Sequence, residues 1–149
     1  MIAISHRPTG RTWNTISFAS TLYLCPILDL LLADIPPQWQ AEIRLGLQEA
    51  LVNAAKHGNK LDPGKTVVVR FSVNRDRYWW TISDQGNGFT CPTSCEVETE
   101  EYMADDDGEC GRGLFIIYQV FDQVHWNQKG RELKLCKIMN NRSRLPFIR

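Results

Sequence analysis

The first clear pattern along the chain is a run of β-branched and aromatic residues, RTWNTISFAS, which predicts a strand. The apolar run TLYLCPILDLLLADI comes next. It contains Pro26 and Asp29 and is too short to cross a bilayer, so it predicts an amphipathic helix from about Thr21 to Asp34, stopped by Pro36-Pro37. The second proline can open the next helix, PQWQAEIRLGLQEALVNAAKHGN. In it Ile43, Leu47, Ala50, Leu51 and Ala54 recur at helical spacing, and Gly58-Asn59 closes the element. LDPG is a turn. KTVVVRFSVN and RYWWTISD predict two antiparallel strands joined at Asn74–Asp76.

From Gln85 to Cys110 the periodicity fades into Gly, Thr, Ser, Asp and Glu. A connection of that length without its own structure is usually functional or mobile. GRGLFIIYQVFD resumes a helical pattern, with Leu114, Ile117, Tyr118 and Phe121 on one side. FDQVHWNQ and RELKLCKIM form a closing hairpin around Lys129-Gly130. The expected order is strand, helix, helix, two strands, long loop, helix, two strands. That order suggests an α+β fold, a two-layer sandwich. One domain over 1–139 is expected, followed by a polar, basic tail over 140–149.

Composition narrows the function classes. At 149 residues, with 43% hydrophobic and 23% charged positions, the chain is long enough to bury a core without disulfides or a structural metal. Seventeen basic and seventeen acidic residues cancel, so no general electrostatic grip on nucleic acid is expected. The opening MIAISHRPTG lacks the apolar segment of a secretory signal, so the five cysteines are expected to be reduced in a cytoplasmic setting, away from membranes. Cys91, Cys95 and Cys110 raise the question of zinc. No C-x-x-C pair or nearby histidine supports it.

Three elements bear polar groups suited to chemistry. Glu49, Asn53 and His57 are four apart and share one face of the long helix. A solvated face explains this stripe equally well when the helix is taken alone. The alternative is that Glu49 accepts a proton or orients a nucleophile, while the Asn53 oxygen serves a hard cation such as Mg2+. Asp84-Gln85-Gly86-Asn87-Gly88 ends a strand in a glycine loop, where backbone can approach a ligand and a carboxylate can accept the amine of adenine. An ordinary turn has the same residues. Gly111-Arg112-Gly113-Leu114 leads into a helix, whose free N–H groups suit phosphate, with Arg112 available to add charge. It is neither a Walker A loop nor a dinucleotide fingerprint. The tryptophans at 79, 80 and 126 are assigned to sheet packing. The case for a nucleotide site rests on all three elements occurring in order, each in the secondary structure that its chemistry needs.

EALVNAAKHGN, DQGNGF and GRGLF resemble the N box and the two glycine boxes of the GHKL ATPase superfamily. The short length and GRGLFII resemble its bacterial anti-sigma-factor serine kinases. The similarity runs from about Gln40 to Lys137. It implies the Bergerat-type fold, a mixed and mostly antiparallel sheet covered by helices, with a lid over the nucleotide at about 85–110. It implies ATP and Mg2+ as cofactors, Asn53 as the metal ligand and Glu49 as the catalytic base. Asp84, Gly86, Gly88, Gly111, Arg112, Gly113 and Leu114 would complete the nucleotide site. The resemblance further implies phosphorylation of a serine on an anti-anti-sigma-type partner, with the ability to hold a sigma factor inactive, in a homodimer. A silent ATP-binding module that sequesters a regulatory protein is the alternative. The hairpin stretch Gly130-Arg131-Glu132-Leu133 lacks the threonine that the family commonly places near adenine, and Asp105–Asp107 puts negative charge in the lid.

Overall fold

A computed structural model describes residues 2–7, 12–88 and 108–140. Six strands form one sheet in the order β1-β2-β3-β4-β6-β5. They are β1 (Ala3–Arg7), β2 (Trp13–Ala19), β3 (Thr66–Asn74), β4 (Arg77–Ser83), β5 (Gln123–Trp126) and β6 (Glu132–Ile138). Helices α1 (Cys25–Leu32), α2 (Pro37–Val52) and α3 (Gly108–Val120) make the second layer, and a π-helical turn over Asn53–Gly58 extends α2. The α+β two-layer sandwich is therefore present. All five strand pairings are antiparallel, so the mixed sheet that the resemblance implied is not found among the described strands.

The alternation of side chains along each strand explains the layering. Ile16 and Phe18, Val67 and Val69, Trp80 and Ile82, and Leu133 and Leu135 all point to the helices and are buried. From the helical side, Ile43, Leu47, Ala50, Leu51, Ile117 and Val120 meet them. Trp80 joins this core edge-on to Phe121, with centroids 5.6 Å apart, which agrees with its assignment to packing. Gly46 lets α3 approach α2 closely. A Cβ there would lie 2.7 Å from both the Phe121 ring and the Val120 side chain.

Three element boundaries differ from the sequence reading. β1 is an additional strand whose short AISHR run lacks the clear alternation of the others. α1 starts only at Cys25, which places Pro26, a residue without an N–H to donate, in the first turn where none is needed. α3 begins at Gly108, so Gly111 and Gly113 lie inside its first two turns rather than ahead of it.

Lys137, on the inward face of β6, is the buried exception to the apolar core. Its Nζ donates to Glu42 Oε1 at 3.1 Å and to the Val120 carbonyl at 2.8 Å. The ammonium also lies 5.1 Å from the Trp39 ring centroid. One side chain thus joins the sheet, α2 and the C-terminal end of α3. Among the described residues no helix is long and apolar enough to cross a membrane.

Candidate functional site

Glu49 and Asn53 leave α2 on the face turned toward α3. Helical spacing of four sets them one turn apart, as the sequence predicts. The other partner in this arrangement is Gly113. A Cβ on Gly113 would lie 2.9 Å from Glu49 Oε2 and 3.6 Å from Asn53 Oδ1. Gly113 therefore gives α3 a bare surface that rests on the two polar groups. This corrects the expectation that it opens the helix: its role here is close packing against the carboxylate. Asn53 Nδ2 is buried and has no hydrogen-bond partner among the described residues. A buried amide left in this state costs free energy, and an ordered water, an ion or a ligand can complete it.

The π-turn that begins at Asn53 shifts the helical register of the residues after it. Asn59 N–H donates to the Ala54 carbonyl at 2.9 Å, five residues back. A wider turn of this kind often accompanies functional sites. Its consequence is that Gly58, and not His57, comes under the loop after β4. A Cβ on Gly58 would run into the Asp84 carboxylate. The polar stripe of the sequence reading therefore ends at Asn53, and His57 does not line the crevice beyond it.

That crevice is lined by Asn53, Ala54, Gly58, Asp84, Trp126 and Leu133, among others. It is narrow, mostly apolar, and has one carboxylate at its wall. Trp126 packs on the core from β5, in keeping with its assignment to sheet packing, and also lines this space. Asp84 itself is fixed by three contacts. Its N–H donates to the Arg131 carbonyl at 3.0 Å, its Oδ1 accepts the Gly86 N–H at 2.8 Å, and Gly58 packs on it. Burial pushes the Asp84 carboxyl above its ordinary value of 3.8, against the lowering effects of the Gly86 N–H, Arg131 and Lys65.

Gly86 and Gly88 are each required by close backbone approach. A Cβ on Gly86 would meet the Gly58 carbonyl, and one on Gly88 the Lys129 carbonyl. Gly88 also has φ +79°, where a side chain is strained. Gly88→Ala is expected to cost about 1–3 kcal/mol of stability, checked by urea unfolding of the two proteins. The second glycine group is less uniform. Gly111 is buried, Arg112 is exposed and free to meet an anion, and the Leu114 side chain is in the core, which leaves only its backbone for a ligand.

Sequence reasoning overlooked Asn59. It reads as a helix stop, yet its side chain is fully buried and bonded to the loop that carries Asp84. The expected lid falls mostly on 89–107, outside the described residues, together with Asp105–Asp107, Cys91 and Cys95. Cys25 and Cys136 are free thiols. Among the described residues no three His, Cys, Asp or Glu side chains gather as a metal cage.

The chain is similar to the serine-protein kinase RsbW of Bacillus subtilis (strain 168), 27% identical over 103 residues, which cover 66% of this chain and 64% of the relative. It is 29% identical to the protein of that name from Bacillus licheniformis over 104 residues, 66% of this chain and 65% of the relative. For Listeria innocua the figures are 26% over 106 residues, 68% of this chain and 67% of the relative. The chain thus spans just under two thirds of the length of its Bacillus relatives. Residues 29–137, which include α2, the Asp84 loop, α3 and the closing hairpin, match the family described as the histidine kinase-like ATPase domain. The chain belongs to that family.

Proposed function

We propose that this protein is an ATP-dependent protein serine kinase that acts as a partner-switching regulator. It would phosphorylate a serine on an anti-anti-sigma-type protein, hold a sigma factor inactive, and work as a cytoplasmic homodimer. The observation that carries the reading is the junction of Glu49, Asn53 and Gly113 beside a crevice walled by Asp84. Family membership and the similarity to proteins named serine-protein kinase support it. The domain is taken as 1–139, with its lid at 85–110.

In this reading the crevice, about 20 Å³ as it stands, widens to admit the adenine base, whose 6-amino group donates to Asp84. Gly86 and Gly88 keep the loop close to the base. The triphosphate runs toward the first turn of α3, which ends at Gly111 and has free N–H donors, and the Arg112 guanidinium adds positive charge. The residues fit a magnesium ion held partly by phosphate. Asn53 presents a carboxamide whose Nδ2 lacks a partner, and turning that group presents Oδ1 instead. One amide oxygen suits Mg2+, which takes oxygen ligands, keeps waters and phosphate oxygens around it, and would neutralise phosphate charge when bound. The substrate serine Oγ forms a bond to the γ-phosphorus as the bond to the ADP oxygen breaks. Glu49 accepts the hydroxyl proton at its carboxylate.

The test is incubation with γ-labelled ATP, Mg2+ and a panel of anti-anti-sigma-type proteins. Acid-stable label on a partner serine is the expected result. Tight ATP binding with no labelled protein across the panel would sink the kinase reading. It would leave the second one, a nucleotide-binding module that sequesters its partner.

Asp84 also gives binding a pH dependence. Only the ionised carboxylate accepts the adenine amine fully. Its pKa is raised by burial, so ATP affinity should begin to fall at a pH above the ordinary 3.8 as the solution is acidified. Asp84→Asn should weaken binding and flatten that profile, read by titration calorimetry. The effect on folding has the opposite sense. The folded state holds this proton more tightly than the unfolded state, so the group favours folding at low pH. That contribution fades as pH rises from 3.8 through the raised value.

A further inference from the structure

We propose that Asn59 is a positioning residue of the nucleotide site, holding the Asp84 loop in the place from which it reads the 6-amino group of adenine. The inference rests on the reading of the crevice as the base pocket.

Asn59 is fully buried, and its carboxamide is used at both ends. Nδ2 donates to Ser20 Oγ at 2.8 Å and to the Thr66 carbonyl at 2.9 Å. Oδ1 accepts the Gln85 N–H at 2.7 Å. Both amide protons are therefore committed, and the carbonyl is aimed at one backbone group. Its two anchors are themselves fixed. Ser20 Oγ donates to the Lys65 carbonyl at 2.9 Å, and the Thr66 N–H donates to Gln85 Oε1 at 2.8 Å. The side chain thus links the end of β2, the start of β3 and the loop after β4.

Its hold on that loop is specific. Gln85 stands between Asp84 and Gly86. On one side the Asp84 N–H is tied to the Arg131 carbonyl. On the other, the Gly86 N–H orients the Asp84 carboxylate. Asn59 grips the residue between these two bonds. Removing it frees the Gln85 N–H and lets the peptide that carries Gly86 turn, and with it the carboxylate. The neighbouring Gly58, through its contacts with Asp84 and Gly86, leaves no side chain to take over.

Two ligands separate positioning from simple support. ATP carries the 6-amino group, and purine riboside triphosphate lacks it but keeps the ring, sugar and phosphates. A hydrogen bond to a charged group should give the wild-type chain a preference for ATP of about tenfold or more. Asn59→Ala, confirmed as folded by circular dichroism, should reduce that preference to about twofold or less while changing affinity for the amine-free ligand little. If the variant does not fold, an amide-to-ester replacement between residues 84 and 85 deletes only the N–H that Asn59 accepts. It should produce the same loss of preference. Equal weakening toward both ligands, or an unchanged preference in these proteins, would overturn the inference while leaving the nucleotide site standing. A wild-type chain that binds neither ligand, or shows no preference between them, would overturn the base-pocket reading and this inference with it.

Discussion

Lys137→Ala is expected to destabilise the fold by about 3–5 kcal/mol, the usual cost of removing one partner from a buried ion pair. The side chains of Lys137 and Glu42 are only 10% and 5% exposed. Deleting the ammonium takes this counter-charge from the Glu42 carboxylate in a place that water barely reaches. It also strips the Val120 carbonyl, at the last turn of α3, of its donor. Urea unfolding should show a lower midpoint with a similar slope. The double variant Glu42→Leu/Lys137→Met supplies the decisive comparison. Apolar groups of similar size should recover most of the loss, because a buried pair is weak support once its desolvation is counted. A Lys137→Ala protein as stable as wild type would show that the pair is not buried in solution.

The second large effect concerns Glu49. Glu49→Gln preserves shape and hydrogen bonding but cannot take up a proton. Phosphotransfer to a partner serine should fall by about 10²–10⁴-fold, the range that general-base catalysis supplies. ATP affinity should change little, since Asp84, Asn53 and the glycine loops remain. Single-turnover transfer of label, measured beside nucleotide titration, separates the two quantities. Full transfer by the variant would remove Glu49 from its role.

Local spacing made part of the site legible. Glu49 and Asn53 share a helix face by periodicity alone, and Asp84 stands where strand alternation stops and glycines begin. The core was legible for the same reason, since Val67, Val69, Trp80 and Ile82 obey the strand period. What escaped depends on contacts between distant residues or on backbone detail. The π-turn arises from a hydrogen bond that skips to the fifth residue, and no side-chain pattern announces it. It removes His57 from the stripe and substitutes Gly58. Trp126 reaches the crevice because β5 pairs with β6 in register with Leu133, a relation absent from its own neighbourhood in the chain. Asn59 looked like punctuation, because its three partners lie in three separate segments. Sequence places the start of α3 late because glycines usually mark helix ends, whereas Gly113 serves a helix contact instead.

β2 and β3 are paired from Asn14 to Ala19, yet residues 20–65 lie between them, and those residues include all of α1 and α2. Closing such a span carries an entropic cost on the order of 3 kcal/mol before any contact offsets it. The helix that holds Glu49 and Asn53 is therefore the strap of a buckle whose two halves are strands. During synthesis it emerges complete before β3 exists, with only the β1–β2 hairpin to lie on until Thr66 onward returns to β2. A chain arrested short of β3 would carry the acid and the amide but no pocket, so chemical competence should appear in the same step as the sheet.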